Sequence, residues 1–153
     1  MNILENLKTL LTPSNVIAFK EANNGEYQFL ADRINNNERN VIAVVTPDNL
    51  DQLRELILFS ADKAFSLFNL LSPGEINTAP IPGNGAIVVI DLKKLNAIIE
   101  VDTKAAYALV EPGVNFEQLN AYLENNDIPF IVDFEKNSKQ SVSGSISNRH
   151  YGY

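Results

Sequence analysis

The sequence predicts an α+β domain, and the pattern of its apolar residues carries that prediction. Residues 41–45 and 64–71 are short apolar runs typical of strands buried on both faces, and a helical pattern separates them. Strand, helix and strand in this order indicate a right-handed crossover in a parallel sheet. Residues 98–101 and 106–111 then predict an antiparallel hairpin that turns at residues 102–104.

The composition fits one domain, because 153 residues with 45% hydrophobic content can bury a core but are too few for two ordinary domains. No apolar run is long enough to span a bilayer and the first residues lack the basic region of a signal peptide, so we expect a cytoplasmic protein that does not enter a membrane. The absence of cysteine and the single histidine exclude a disulfide framework, thiolate catalysis and a histidine-rich metal site. A net charge of −7 disfavours nucleic acid, although backbone N–H groups could still hold one dinucleotide.

The first 40 residues are interpreted as a helix followed by a lead-in segment. Apolar residues at helical spacing predict a helix over residues 1–11, which ends before Pro13 because the residue preceding a proline is pushed out of the α region. Residues 15–29 are ambiguous, with short apolar patches around a turn signal. We therefore divide the chain into an N-terminal helix and lead-in, 1–40, and one main domain, 41–153.

The helix of the crossover is predicted from its start signals and its apolar stripe. Thr46 is a candidate N-cap, Pro47 suits the first helical position, and Asp48 complements the positive end of the helix dipole. The residues expected to face the core recur at helical spacing: Leu50, Leu53, Leu56, Ile57 and Ala61. After a loop at residues 72–85, residues 86–91 predict a third strand.

A second amphipathic helix is predicted after the hairpin. Asn115 is a candidate N-cap, and the helix ends near residues 125–127. Its apolar face comprises Phe116, Leu119, Tyr122 and Leu123. Residues 129–134 are expected to be extended, and residues 135–140 form a charged loop.

Two neighbouring segments resemble a known family. They are residues 87–102 and residues 106–114, the second with the sequence Ala-Tyr-Ala-Leu-Val-Glu-Pro-Gly-Val. Together they resemble the FAD-binding (PCMH-type) domain of the vanillyl-alcohol oxidase and p-cresol methylhydroxylase family. The resemblance is loose over residues 15–153 and good over residues 46–130. It implies an α+β fold in which a small parallel sheet precedes the start of a mostly antiparallel second sheet. It also implies that the domain is truncated at its C-terminus.

The resemblance implies that FAD is the cofactor and that three segments bind it. The first is a loop whose later Gly-Tyr-Gly is absent from this chain, so an ordinary strand-to-strand loop is the alternative. The second is a turn between strand and helix, whose glycine has the simpler explanation of a positive φ. The third is the C-terminal piece, for which a polar flexible tail is the alternative. The implied cofactor-binding residues are Leu71, Ser72, Gly74 and Asn77, then Pro112, Gly113 and Val114, then Ser141, Gly144, Ser145, Arg149, Gly152 and Tyr153.

Other candidate residues have simpler explanations. His150 occupies a glycine position of the family pattern, so covalent attachment of flavin there is disfavoured against a solvated side chain. Paired carboxylates for hydrolysis could be imagined among Glu100, Asp102 and Glu111. Their place in the hairpin favours turn residues and solvated charges instead. The sequence therefore assigns neither a catalytic residue nor a metal site.

The chemistry that the resemblance implies is hydride transfer from a small alcohol-type substrate, often a para-substituted phenol, to FAD. In that family the substrate domain lies beyond the segment matched here, so we expect the chain alone to be inactive. A second chain or a missing C-terminal segment would have to supply that domain. The alternative is a non-catalytic remnant or interaction domain that keeps the fold and binds FAD weakly or not at all.

Overall fold

A computed structural model of the chain describes residues 2–22, 25–30, 40–70, 85–132 and 140–147. Helix α1 spans Ile3–Leu10, and the side chain of Asn2 caps it by accepting a hydrogen bond from the Leu4 N–H at 3.1 Å. Its apolar stripe buries Leu7 completely against the sheet. The helix predicted over residues 1–11 is therefore confirmed, with slightly shorter ends.

A four-stranded mixed sheet forms the centre of the fold. Its strands are β1 (Val16–Ala18), β2 (Asn40–Val45), β3 (Ser66–Leu70) and β4 (Ala86–Asp91). The spatial order is β1-β2-β4-β3, in which β2, β4 and β3 are parallel and β1 is antiparallel to β2. The predicted parallel crossover is confirmed, and β4 inserts between the two strands that the crossover connects. The ambiguous patch at residues 16–17 forms the edge strand β1.

The crossover helix α2 spans Leu50–Lys63, and its N-cap is Asn49 and not the predicted Thr46. Asn49, in an extended conformation, accepts a hydrogen bond from the Gln52 N–H at 2.9 Å. Thr46 is instead buried at the end of β2, with 6% of its surface exposed. The prediction of Thr46 as N-cap was wrong because the chain remains irregular for three more residues after the strand, and Asn49 caps as well as threonine does.

The predicted apolar stripe of α2 is correct at Leu56 but wrong at several other positions. Leu56 is fully buried and Leu53 is partly buried, whereas Leu50 and Ile57 are 56% and 51% exposed. Ala61 is exposed as well. The helix is covered on a narrow face only, so the outer part of the stripe predicted from periodicity remains in solvent.

Both faces of the sheet are covered, which explains the continuous apolar sequence of its central strand. On one face Ile87 and Val89 of β4 pack with Tyr27 and Leu30 of the lead-in. On the other face Val88 and Ile90 pack with α1 and α2, including Leu7 and Leu56. Burial on two sides is the expected environment for a central parallel strand.

The hairpin and the second helix follow the sheet. Strands β5 (Ile98–Asp102) and β6 (Tyr107–Val110) pair antiparallel. The Asp102 carboxylate accepts the N–H groups of Lys104 and Ala105 and so closes the predicted turn. Helix α3 (Phe116–Asn125) begins at Asn115 with a reciprocal capping box to Gln118, as predicted. A short helix α4 (Val142–Ser147) ends the described chain.

Candidate functional site

Two of the segments predicted to bind the cofactor lie in direct contact, although about thirty residues separate them in sequence. The Val142 N–H donates to the Val114 carbonyl at 2.9 Å, and the Ser143 hydroxyl donates to the Pro112 carbonyl at 2.6 Å. An isolated antiparallel bridge between Asn115 and Ser141 extends this pairing. The turn at residues 112–114 and the segment at residues 141–145 therefore form one unit.

This unit rests on the carboxyl end of the parallel sheet. The Gly113 N–H donates to the Leu95 carbonyl at 2.7 Å, and a Cβ added to Gly113 would overlap the carbonyl oxygens of Leu92 and Leu95. Residues 92–95 form the turn that follows β4, closed by a hydrogen bond of 2.9 Å from the Leu95 N–H to the Leu92 carbonyl. We refer to them as the 92–95 turn. Ligands of open parallel sheets bind at this end of the strands.

The reason for glycine at position 113 differs from the one expected. Among the described glycines, positive φ occurs at Gly25 and Gly85 but not at Gly113. The simple explanation of a left-handed turn is therefore wrong for Gly113. Close backbone approach to the 92–95 turn excludes a side chain there.

Small, buried residues line the inner side of the paired segments. Ser141 and Ser145 have 6% and 3% of their surface exposed, and Gly144 is also buried. The Ser141 hydroxyl accepts the Gly144 N–H at 3.0 Å, and the Ser141 carbonyl accepts the Ser145 N–H at 3.0 Å. The Val114 side chain is fully buried in a cluster with Leu119 and Leu123, and Val142 of the paired segment packs against this cluster.

A polar cluster that the sequence analysis missed lies beside this unit. Asp91, the last residue of β4, is buried and accepts the Tyr27 hydroxyl at 2.7 Å and the Lys93 N–H at 3.0 Å. The Lys93 ammonium donates to Glu26 at 2.6 Å and to Tyr27 at 3.1 Å. The signal in the sequence is an aspartate that closes a fully apolar strand, since a buried carboxylate requires partners.

The charges of this cluster are fixed by their surroundings. Burial raises the pKa of the Tyr27 phenol, and the hydrogen bond to Asp91 raises it further, so the hydroxyl remains a donor. Burial opposes the charge of Lys93, but the hydrogen bonds to Glu26 and Tyr27 outweigh it and the pKa of Lys93 is raised. Lys93 is therefore a cation at neutral pH.

A second polar cluster lies at the end of β2. The Lys94 ammonium donates to Asn15 and to Asp48, each at 2.7 Å, and the Thr12 hydroxyl donates to the other oxygen of Asp48 at 2.6 Å. The hydrogen bonds from Lys94 and Thr12 hold the pKa of Asp48 well below its usual range. The sequence predicts that Asp48 complements the positive end of the α2 dipole. In the structure its carboxylate instead accepts hydrogen bonds from Lys94 and Thr12.

Several predicted site residues lie outside the described residues. They are Leu71, Ser72, Gly74 and Asn77 of the first predicted segment, and Arg149, Gly152 and Tyr153 of the third, together with His150. The last residue of β3, Leu70, pairs with Asp91. In sequence, the first predicted segment begins at the residue after β3.

The carboxylates considered for hydrolysis have structural partners. Glu111 accepts the Ala97 N–H at 2.8 Å, Glu100 accepts the Tyr107 hydroxyl at 3.1 Å, and Asp102 closes the hairpin. Within the described part of the chain, no group of three or more acidic or histidine side chains could hold a metal ion. Across the same residues, no helix is both long enough and apolar enough to cross a bilayer.

The chemistry of this end of the sheet fits a dinucleotide. The described residues of the paired segments are mainly glycine and serine, which allow the backbone and hydroxyl groups to approach a phosphate or a ring edge. Asp48 binds Lys94, and Asp91 and Glu26 share Lys93. These two lysines offset part of the negative charge that a pyrophosphate at this position would meet.

Comparison with known proteins supports this assignment. Residues 41–153 match the protein family described as FAD binding domain. The flavoprotein subunit of 4-cresol dehydrogenase (hydroxylating) from Pseudomonas putida is 31% identical over an alignment of 117 residues that covers 72% of this chain and 22% of that protein.

Solved structures share the fold, which confirms the predicted α+β PCMH-type architecture. A structure of p-cresol methylhydroxylase with substrate bound superposes with a TM-score of 0.67 at 23% identity, covering 95% of this chain and 28% of that one. Alkyldihydroxyacetonephosphate synthase superposes with a TM-score of 0.69 at 16% identity, covering 94% of this chain and 28% of that one. The chain thus spans 22% to 28% of the length of these relatives.

Proposed function

The chain belongs to the FAD-binding domain family, so FAD is its cofactor, and we propose that the paired segments at the carboxyl end of the sheet hold it. The observation that carries the proposal is that residues 112–114 and residues 141–145 are joined by hydrogen bonds. The proposed contacts are Pro112, Gly113, Val114, Ser141, Gly144 and Ser145, joined by Leu71, Ser72, Gly74, Asn77, Arg149, Gly152 and Tyr153 outside the described residues.

The described residues would bind and orient the cofactor. The hydrogen bonds from Ser143 to Pro112 and from Val142 to Val114 set the shape of the site before a ligand arrives. A preorganised site loses less conformational freedom on binding and so binds more tightly. When bound, FAD would supply the ability to accept a hydride, which none of the side chains of this site can do.

We further propose that the chain is the flavin-binding part of an oxidoreductase that removes hydride from a small phenolic, alcohol-type substrate. The support is the sequence similarity to the flavoprotein subunit of 4-cresol dehydrogenase (hydroxylating). Because the chain spans 22% of that protein, the substrate-binding and catalytic residues would come from additional polypeptide, either a second chain or a longer C-terminal part.

An open apolar groove supports the proposal of additional polypeptide. The groove has a volume of about 590 Å³ and lies between β5–β6, α3 and residues 129–132. Of the residues that line it, Tyr107 is 45% exposed and Ile131 is 94% exposed. Apolar side chains around a groove of this kind are typical of a surface that another part of a protein covers.

The first experiment is thermal unfolding of the purified chain with increasing FAD. Ligand at about 100 times its dissociation constant stabilises a binding protein by roughly 2.7 kcal/mol. We expect a saturable rise in melting temperature and flavin absorbance that follows the protein through gel filtration. Riboflavin, which lacks the pyrophosphate and adenosine, is the ligand control and should raise the melting temperature much less.

A second candidate function is a non-catalytic remnant that binds FAD weakly or not at all, and one observation in the sequence favours it. The loop at residues 72–80 lacks the Gly-Tyr-Gly of the family pattern and carries Glu75 where phosphate is expected. A folded chain whose melting temperature is unchanged at high FAD concentration would support this candidate. It would also contradict the proposed contacts.

A further inference from the structure

The 92–95 turn is in direct backbone contact with the 112–114 turn of the proposed cofactor site. The Gly113 N–H binds the Leu95 carbonyl, and the Gly113 Cα leaves no space for a side chain against Leu92 and Leu95. Leu95 itself is 1% exposed. A displacement of this turn would therefore move the 112–114 turn, and with it the segment that Val114 and Pro112 hold.

Two consecutive lysines connect the turn to separate parts of the fold. Lys93 reaches Glu26 and Tyr27, which precede it in sequence by 67 and 66 residues. Its ammonium also lies 5.2 Å from the centroid of the Tyr27 ring, a cation–π distance. Lys93 thus holds the turn against one face of the lead-in.

Lys94 connects the turn in the other direction. Its ammonium binds Asn15 of the lead-in and Asp48 at the end of β2, and Asp48 is held in turn by Thr12. Asn15 is 6% exposed, so this anchor belongs to the folded core and not to a mobile surface. The turn is therefore tied at both of its central residues.

Apart from Asp91, which is 10% exposed and 3.5 Å from the Lys93 ammonium, the acidic partners of the two lysines are partly exposed, which limits what these ion pairs contribute to stability. Lys93 and Lys94 are 36% and 42% exposed, and their partners Glu26 and Asp48 are 53% and 33% exposed. Ion pairs in water contribute little to the free energy of unfolding. What the contacts do show is that both central residues of the 92–95 turn are held by side chains of other segments.

We infer that Lys93 and Lys94 are positioning residues for the cofactor site, and that the lead-in residues Thr12, Asn15, Glu26 and Tyr27 form part of that site's support. This inference rests on the proposed function. It assigns a role in the FAD site to a part of the chain that precedes the family match, which begins at residue 41.

The test compares Lys93→Met, Lys94→Met and the double variant with the wild-type chain. Methionine keeps the length of the stem and removes the charge and the donors. The matched control is Lys8→Met, which removes an exposed lysine whose partner, Glu5, lies on the same helix, α1. Lys94→Arg serves as a rescue variant because its guanidinium can still bind Asn15 and Asp48.

The dissociation constant for FAD is measured from flavin fluorescence, at a temperature where circular dichroism shows each variant fully folded. Under that condition a loss of stability alone leaves the constant unchanged. We expect binding about tenfold weaker in the double variant, which corresponds to about 1.4 kcal/mol. Lys8→Met should bind as the wild type does, and Lys94→Arg should recover most of the affinity.

Amide hydrogen exchange in the absence of FAD tests whether Lys93 and Lys94 hold the 112–114 turn in place, without relying on ligand binding. In the double variant the Gly113 and Val142 amides should exchange faster, because their acceptors on Leu95 and Val114 are no longer held. The amides of β2 should exchange at the wild-type rate. Faster exchange confined to the site would support the inference.

The possible failures are distinguishable. Folded variants that bind FAD with the wild-type constant would overturn the role of the lysines while leaving the cofactor proposal standing. A wild-type chain that fails to bind FAD would overturn the cofactor proposal and, with it, the positioning role. Weaker binding in Lys8→Met to the same extent would also overturn the inference, since the effect would then be one of general charge.

Discussion

Gly113 donates its backbone N–H to the carbonyl oxygen of Leu95 at 2.7 Å, and an added Cβ would stand 2.7 Å from that same oxygen. One residue thus makes a short hydrogen bond and leaves no room for a side chain. The contact joins the turn that ends the hairpin to the turn that ends the central strand of the sheet. It brings the proposed cofactor site to the edge where parallel sheets bind ligands.

Gly113→Ala should destabilise the chain by about 3 kcal/mol, because the new methyl group meets backbone atoms that cannot rotate away. Urea denaturation followed by circular dichroism measures the loss. FAD affinity of the folded fraction should fall as well, since the 112–114 turn must move.

The control for this prediction is Gly85→Ala. Gly85 has a φ of 94° and no atom within 4 Å of its added Cβ, so alanine there adds backbone strain without overlap. The expected cost is about 1–2 kcal/mol. An equal or smaller loss in Gly113→Ala would contradict the close-approach explanation.

Ser143→Ala should weaken the union of the paired segments. The variant loses the hydrogen bond of 2.6 Å to the Pro112 carbonyl, with an expected cost of about 1 kcal/mol in the free energy of unfolding and a lower FAD affinity. Ser147→Ala, an exposed position in the same helix, is the matched control and should change stability by less than about 0.5 kcal/mol. Equal effects in the two variants would argue against a specific role for Ser143.

Tyr27→Phe should cost about 1–3 kcal/mol, because it removes a hydroxyl donor from the buried carboxylate of Asp91. Tyr107→Phe is the control, since its hydroxyl binds Glu100 at 3.1 Å on a side chain that is 45% exposed. That variant should remain within about 0.5 kcal/mol of the wild type. Chemical denaturation of both variants decides between a buried network and a general effect of losing a tyrosine hydroxyl.

Asp48 should make stability depend on acid pH. Its folded pKa is lowered from 3.8, so its contribution is fully present above that value and is lost as the pH falls through the folded pKa. Asp48→Asn should therefore be less stable than the wild type near neutral pH, and the difference should shrink at about pH 2.5. If the difference in the free energy of unfolding between the two proteins does not change with pH, the charge of Asp48 does not contribute to stability.

Local sequence patterns predicted most of the secondary structure. The third strand, Ala86–Asp91, has the predicted ends, and the helix that starts after Asn115 has its predicted cap. These features depend on interactions within a few residues, such as the capping box between Asn115 and Gln118. The resemblance of residues 87–114 to the flavin family was likewise visible without a structure, and the family match confirmed it.

Errors arose where a neighbour distant in sequence decided the outcome. Leu50 and Ile57 follow helical periodicity but remain exposed, because the periodicity of α2 does not show how much of its surface another element covers. Thr46 and Asn49 are both acceptable caps by residue type, and the path of the chain after β2 selected Asn49.

Composition and local order were enough to predict the class of fold, the family and the small residues near the proposed site. Tertiary structure alone decided that β4 lies between β2 and β3, that Gly113 rests on the 92–95 turn, and that Ser143 reaches Pro112. Each of these contacts joins residues far apart along the chain. They depend on burial and on hydrogen bonds that exist only once these distant segments have packed together.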